Sequence, residues 1–398
     1  MRILYAAMKY DYGKPEQGLS FEHYNFYHSL LSMGHDILYF DFMTLAQHHG
    51  REGMNRRLRE VVTAEKPDLF FSVLFTDQFD RSVIRELTET RLPTINWFCD
   101  DHWRFDDYSR EWVPCFKWVI TTAASALPKY AKCGYQNVIK SQWGCNDVLY
   151  RKLNLPLKYD VTFVGQPHGN RRQVIHALRK AGIKVHVWGG GWESGRLSQE
   201  DMIRVFNQSR INLNLSNASK SANAPPAVTI PAVRMRDTVR RRISRSLDMV
   251  PFGAHVKTMG RSLISGLRDS PTSSGDSEPA ETPDLDYVDQ IKGRNFEVPG
   301  CGGFLLTGVA DNLEQYYKIG EEVVCFDDRQ DLVEKVRYYL EHEQERAAIA
   351  QAGFDRTLRD HTYARRFTEI FTRMGLPGTE VYSGADRGSP PGCTIEMR

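Results

Sequence analysis

Short apolar runs alternate with helix-length windows along most of this chain, and that alternation restricts it to one broad architecture. The runs Ile3–Ala7, Ile37–Phe40, Leu69–Leu74, Thr94–Phe98, Trp118–Thr121 and Asn137–Ser141 read as strands. Helical patterns near Phe21–Met33, Arg51–Glu65 and Phe79–Thr90 lie between them. Strands alternating with helices imply a parallel, doubly wound α/β sheet. The pattern then restarts. Asp160–Gly165 and Lys184–Trp188 flank a helix over Asn170–Ala181, and Ser198 with Asp201 opens another that runs to Gln208. Ile211–Leu215 and Glu322–Phe326 complete the strands, followed by helices near Asp331–His342, Gln344–Arg356 and Tyr363–Met374. Two α/β halves joined near Tyr150–Tyr159 are expected, with domains over 1–150 and 158–362, a helix over 363–376 and a tail over 377–398. Parallel sheets bind ligands beyond the carboxyl ends of their strands, so two facing halves put the site in the cleft.

Composition excludes several alternatives. A chain of 398 residues can bury two cores. Its net charge of +2 carries no bulk attraction to nucleic acid. No run approaches the ~20 apolar residues of a membrane span, and MRILYAAMKY turns polar too soon for a signal peptide. The seven cysteines form no Cys-x-x-Cys pair and no zinc spacing, which points to a reduced, cytoplasmic setting.

One segment departs from the alternation. Ala218–Leu285 reads as an insert, basic in its first half (Arg234, Arg236, Arg240, Arg241, Arg242, Arg245) and Ser/Pro/acid-rich in its second. The second half has the composition of disorder. The first is either a solvated surface insert or a weak peripheral contact with anionic lipid or a polyanionic acceptor.

Just past the insert, Gln290–Thr307 reads QIKGRNFEVPGCGGFLLT. Lys292 and Arg294 are expected on the first turns of a helix, with Glu297 one turn past Arg294. Pro299 and Gly300 end that helix, and Gly302–Gly303 lead into the apolar run Phe304–Leu306. A cation-rich helix start mismatches its own macrodipole unless an anion such as a diphosphate docks there. The alternative is an ordinary surface ion pair between Arg294 and Glu297.

This segment resembles the C-terminal signature of group 1 glycosyltransferases, most closely the CgeB-like (spore-maturation protein) branch. In that superfamily two Glu residues separated by seven others frame the donor site. Glu297 fits the second position, and Asp289 fills the first with a shorter carboxylate. The resemblance implies two Rossmann-like domains facing across a cleft (the GT-B type) and ribose binding by Glu297. Phe163–Arg172, FVGQPHGNRR, resembles the family's strand–Gly–Arg–loop–Lys pattern, with Gly165 in place, Gln166 where the Arg usually sits and Arg171 where the Lys usually sits. Gly18, Ser20 and Glu22 match where the family places its acceptor-side loop.

Other loops carry weaker signals. WGGGW at Trp188–Trp192 is not a dinucleotide fingerprint; Gly190 and Trp192 suit a base- or sugar-lining loop, and Trp188 suits core packing. Asn214 and Ser216 put polar groups at a strand end, and Gly302, Gly303 and Phe304 follow the signature helix on the donor side. Asp100, Asp101 and His102 stand at the carboxyl end of Thr94–Phe98, where a carboxylate or imidazole can take a proton from an acceptor hydroxyl. A turn or helix cap is the plainer reading, and a metal site lacks further ligands.

The resemblance implies transfer of a hexose-like group from a nucleotide-diphosphate sugar to a hydroxyl acceptor (glycan, lipid-linked or small molecule), with retention, no cofactor and no bound metal. Lys292, Arg294 and Arg171 would neutralise the departing diphosphate. An epimerase or phosphorylase on the same fold, or a non-catalytic nucleotide-sugar or glycan-binding module, remains open because fold does not fix activity.

Overall fold

The computed structural model describes residues 1–219 and 287–377. The basic and acidic runs of the insert and the tail beyond residue 377 lie outside the described residues. Six strands form the first sheet: β1 (Arg2–Ala6), β2 (Asp36–Phe40), β3 (Leu69–Ser72), β4 (Thr94–Phe98), β5 (Trp118–Thr121) and β6 (Val138–Lys140). Their order is β2-β1-β3-β4-β5-β6, every neighbour parallel. The second sheet holds β7 (Tyr159–Val164), β8 (Val185–Trp188), β9 (Ser209–Asn214), β12 (Leu305–Gly308) and β13 (Val324–Phe326) in the order β13-β12-β9-β7-β8, again all parallel. This is the two-Rossmann GT-B arrangement.

Between β9 and the signature helix, β10 (Asn217–Ser219) and β11 (Tyr287–Asp289) pair antiparallel, with Ser219 opposite Tyr287. The chain therefore leaves for the insert and returns from it at one point.

Two helices differ from expectation. The helix expected over Arg51–Glu65 is joined to an earlier one that starts at Phe42, where the Asp41 carboxylate accepts the Thr44 backbone N–H. Gly50, at φ 68° and ψ 172°, is non-helical and makes the kink between the two. The helix near Phe21–Met33 contains a π-helical stretch over His23–Tyr27, a form enriched at functional sites.

The final helix, Tyr363–Arg373, returns to the first sheet. Tyr363, Phe367, Ile370 and Phe371 are buried against Ile3, Tyr5, Phe26, Leu69 and Trp97. Each such side chain contributes ~1.5–3 kcal/mol by leaving water. The first sheet and the helix Tyr363–Arg373 thus share one core. Among the described residues no helix is long and apolar enough to cross a membrane.

Candidate functional site

The signature helix runs from Arg294 to Gly300, so Lys292 precedes it rather than occupying its first turn. The Lys292 backbone N–H, ahead of the N-cap Gly293, donates to Asn295 Oδ1 at 2.9 Å and so folds back onto the first turn. Asn295 also donates to Thr307 and accepts from Asn214, whose amide reaches both at 3.0–3.1 Å. Asn214 is therefore spent on a buried network that ties β9, the signature helix and β12 together.

Arg294 and Glu297 do pair, but not on the surface. Glu297 is fully buried and takes the Arg294 guanidinium, the Tyr150 hydroxyl at 2.8 Å and a long bond from Asn25 Nδ2 at 3.5 Å. Signature helix, interdomain linker and first domain meet at this one carboxylate.

Arg294 lines a cavity of about 330 Å³ between the domains. From the first domain come Gln17, Gly18, Leu19, Phe21, Tyr24 and Asn25; from the second, Gly165, Gln166, Gly189, Gly190, Arg196, Ser198 and Gln199. Gly165 and Gly190, expected on the donor side, and Gly18, expected on the acceptor side, line this same cavity. Arg196 reaches Asp11 of the first domain at 2.5 Å, and Gln166 hydrogen-bonds Tyr12.

Lys292 lies two residues before Arg294 and is not among the residues lining this cavity. Burial first, then the neighbouring Arg171 charge, lowers its pKa to about 7, while Asp100 and Asp289 pull the other way. Its ammonium makes no hydrogen bond or ion pair among the described residues. Arg171 is buried, and its guanidinium donates to the backbone carbonyls of Gln166 at 2.9 Å and Leu215 at 2.8 Å. Burial, with Arg294 nearby, lowers its pKa to about 10. It clamps the loops after β7 and β9 instead of reaching into the cavity.

Several expected site residues serve the scaffold. Trp192 packs on the second core and donates Nε1–H to Gly165 O at 2.8 Å, whereas Trp188 stacks on His186 outside that core. The expected roles of the two tryptophans are reversed, because Val185 and Val187 claim the inward positions of β8. Phe304 is buried against Tyr339, and a Cβ at Gly303 would stand 2.8 Å from Asn212 Nδ2. Gly302, at φ 71°, turns the chain into β12. None of these three lines the interdomain cavity. Ser216 and the exposed Asp289 line a separate cavity of about 180 Å³ with Asn170, Asp327 and Asp328. Ser216 donates to Gly308 O at 2.6 Å.

In the first domain the Asp100–His102 group divides. Asp101 is 1% exposed and accepts Ser109 Oγ–H at 2.5 Å and Tyr130 Oη–H at 2.7 Å, which makes it a buried anchor for its loop rather than an accessible base. Burial raises its pKa. The His102 side chain is 4% exposed and faces Asp311 of the second domain at 3.8 Å; burial drops its pKa to about 4. Asp100 alone reaches a cavity, of about 160 Å³, shared with Glu22, Asp11 and Tyr12. Ser20 is buried, donating to Met8 O and accepting the His23 N–H. Among the described residues no three His, Cys, Asp or Glu side chains cluster as a metal site.

The family model described as glycosyl transferase-like matches residues 171–236 and 242–372, a span that holds the signature helix and both strands beside it. The chain belongs to the group 1 glycosyltransferase superfamily. Solved structures similar in fold to this glycosyltransferase include Anabaena HepE in complex with UDP-glucose, at 12% identity over 94% of this chain and 99% of that one, TM-score 0.55. Sucrose-phosphate synthase from Thermosynechococcus elongatus matches at 10% identity over 94% and 97%, TM-score 0.55. A Rickettsia africae glycosyltransferase matches at 8% identity over 94% and 98%, TM-score 0.51. At these identities they bear on the fold of the transferase. No curated protein matches it in sequence.

Sequence reasoning missed Tyr150, Asn25, Phe21, Arg196, Asp11 and Tyr12. Asn25 and Tyr150 meet Glu297 from 272 and 147 residues away, and no local pattern announces such partners.

Proposed function

We propose that the interdomain cavity binds a nucleotide-diphosphate sugar and that the protein transfers its hexose-like group to a hydroxyl acceptor. The observation that carries this reading is the interdomain cavity, which Arg294 lines together with Gly165, Gly189 and Gly190; Lys292, two residues before Arg294, is a half-buried lysine shifted toward neutrality. A diphosphate arriving there supplies the counter-charge that restores the ammonium. HepE, of similar fold, was solved with UDP-glucose, which favours a nucleotide-sugar donor here.

In the reaction the bond between the anomeric carbon and the diphosphate oxygen breaks and that oxygen keeps the electron pair. The acceptor oxygen bonds to the anomeric carbon and passes its proton to the departing diphosphate oxygen. Negative charge grows on the diphosphate as the bond breaks, so Lys292 and Arg294 lower the barrier by holding it. Glu297, expected to take the ribose hydroxyls, is fully buried and lines none of the three cavities, so we assign it instead to holding Arg294 and Tyr150 in place. We extend the proposal to the CgeB-like branch, to retention of anomeric configuration, to transfer without a bound metal or other cofactor, and to glycan or surface-polysaccharide synthesis. The setting proposed is the cytoplasm, with the basic part of the insert touching the inner face of the membrane.

Release of nucleoside diphosphate from a panel of nucleotide sugars, with water as acceptor, tests the reading. Release that persists in EDTA supports metal-free transfer. Release abolished by EDTA and restored by manganese or magnesium overturns that part, and no release from any donor overturns the transferase reading. The anomeric configuration of the product sugar, read by NMR, tests retention.

A further inference from the structure

The smaller cavity of the first domain has a composition that the donor does not account for. It opens at the carboxyl ends of β1, β3 and β4, next to Met8, Leu74 and Phe98. Its volume of about 160 Å³ is well under the ~300–1,000 Å³ of sites for drug-sized ligands, which leaves room for one ring-sized group. Aromatic rings from separate segments (Tyr12, Phe21, Phe75, Phe98, Tyr108) form its walls, and the carboxylates of Asp11, Glu22 and Asp100 stand among them. A sugar ring has apolar C–H faces and a hydroxyl rim; the rings suit the first and the carboxylates the second.

Phe21 belongs to both this cavity and the larger one, so a group held here lies next to the donor. Tyr12 is held at φ 51°, an uncommon conformation for a bulky side chain, and its ring meets Phe75 edge-on.

The charges define what can enter. Asp11 is paired with Arg196 at 2.5 Å, and Asp100 accepts from Gln290 Nε2 at 3.4 Å. The one lining cation, Arg104, is pinned to the wall: it donates to Phe75 O at 3.0 Å and lies 4.1 Å over the Tyr108 ring. Glu22 bonds with Ser20 and with its own backbone N–H, and has no ion pair among the described residues. Its pKa is pushed up to about 7, by burial first and then by Asp11 and Asp100.

We propose that this cavity is the acceptor pocket, that it takes a single sugar ring carrying no negative charge, and that Glu22 is the residue that selects it. An acceptor hydroxyl bonds the Glu22 carboxylate, while a uronate or phosphorylated sugar meets three carboxylates and no free cation. The proposal rests on the glycosyl-transfer reading for the identity of the site, but its test is independent of the donor.

Equilibrium titration by NMR at pH 8, where Glu22 is ionised, uses methyl glucoside and methyl glucuronide as probes. The wild type is expected to bind the glucoside at least about tenfold more tightly. Glu22→Gln is expected to weaken glucoside binding about tenfold, by loss of a charge-assisted bond, and to narrow the preference. Asp100→Asn narrows it as well and carries the test if Glu22→Gln does not fold. Equal or tighter glucuronide binding, no saturable binding of either probe, or an unchanged preference in both variants overturns the proposal. Nucleoside diphosphate titrated into the same samples separates the two readings. Donor affinity with the wrong sugar preference defeats only the acceptor assignment, and absent donor affinity defeats the transferase reading.

Discussion

Lys292 is the residue on which the account turns, and its depressed pKa makes a signed prediction. A lysine at about 7 in the folded chain and near its ordinary value when unfolded leaves the unfolded state binding more protons between those limits. Its destabilising effect therefore grows as pH falls from about 10 to 7 and is constant below. Lys292→Met should raise the melting temperature of the free protein, and by more at pH 7 than at pH 10. Diphosphate binding at pH 8 should draw a proton onto Lys292, seen as a buffer-dependent binding enthalpy that the variant lacks. If Lys292 and Arg294 hold the leaving group, Lys292→Ala lowers turnover more than it raises the donor KM. Equal turnover in wild type and variant would contradict that role. The cations and the carboxylate were legible in QIKGRNFEVPG as one cluster. That Arg171 spends its guanidinium on two carbonyls was not, because the Leu215 carbonyl is 44 residues away.

At the scale of elements, the signature helix is a junction rather than an amphipathic surface helix. Phe296, Val298 and Pro299 are buried along with Glu297. Glu297→Ala leaves the half-buried Arg294 and the Tyr150 hydroxyl without their shared partner and should cost about 1.5–3 kcal/mol of stability. Glu297→Gln keeps the shape and isolates the effect on donor binding. Gly293 makes a second prediction: a Cβ there would stand 2.7 Å from the Phe21 ring, which walls both cavities. Gly293→Ala should cost about 1–3 kcal/mol, read from the urea midpoint, and weaken donor binding as Phe21 shifts. Strands were the most legible elements, since runs such as Leu69–Ser72 and Thr94–Phe98 are mostly apolar and wholly buried. Helix starts were less so. Asp41 caps a helix whose first residues, FMTLAQHHG, show weak periodicity, and Lys292 falls just ahead of its helix, with its N–H turned back onto Asn295.

For the whole molecule, the return of Tyr363–Arg373 to the first sheet makes the two domains one folding problem. Truncation after Thr362 removes four buried side chains from the core of the first domain and should lower its melting temperature sharply, although the cut lies in sequence beyond the second. The insert is the opposite case. Ser219 and Tyr287 are directly paired, so a hairpin turn of about two to five residues can replace everything between them. That deletion should preserve both the melting temperature and donor hydrolysis; collapse of either would show that the segment packs into the core. The two-sheet layout was legible from the alternation alone. The merging of the first sheet and Tyr363–Arg373 into one core was not, because the pattern of Tyr363, Phe367, Ile370 and Phe371 marks an apolar face without naming the surface it covers.

The central claim, that the cavity between the domains is a nucleotide-diphosphate site governed by Lys292, is tested most directly by thermal shift with UDP, GDP and ADP against wild type and Lys292→Ala. At least one nucleotide should raise the wild-type melting temperature in a saturable way, since binding to the native state alone adds about 2.7 kcal/mol at a hundredfold excess over Kd. The same nucleotide should do much less to the variant. No shift from any of the three, or equal shifts in both proteins, would contradict it.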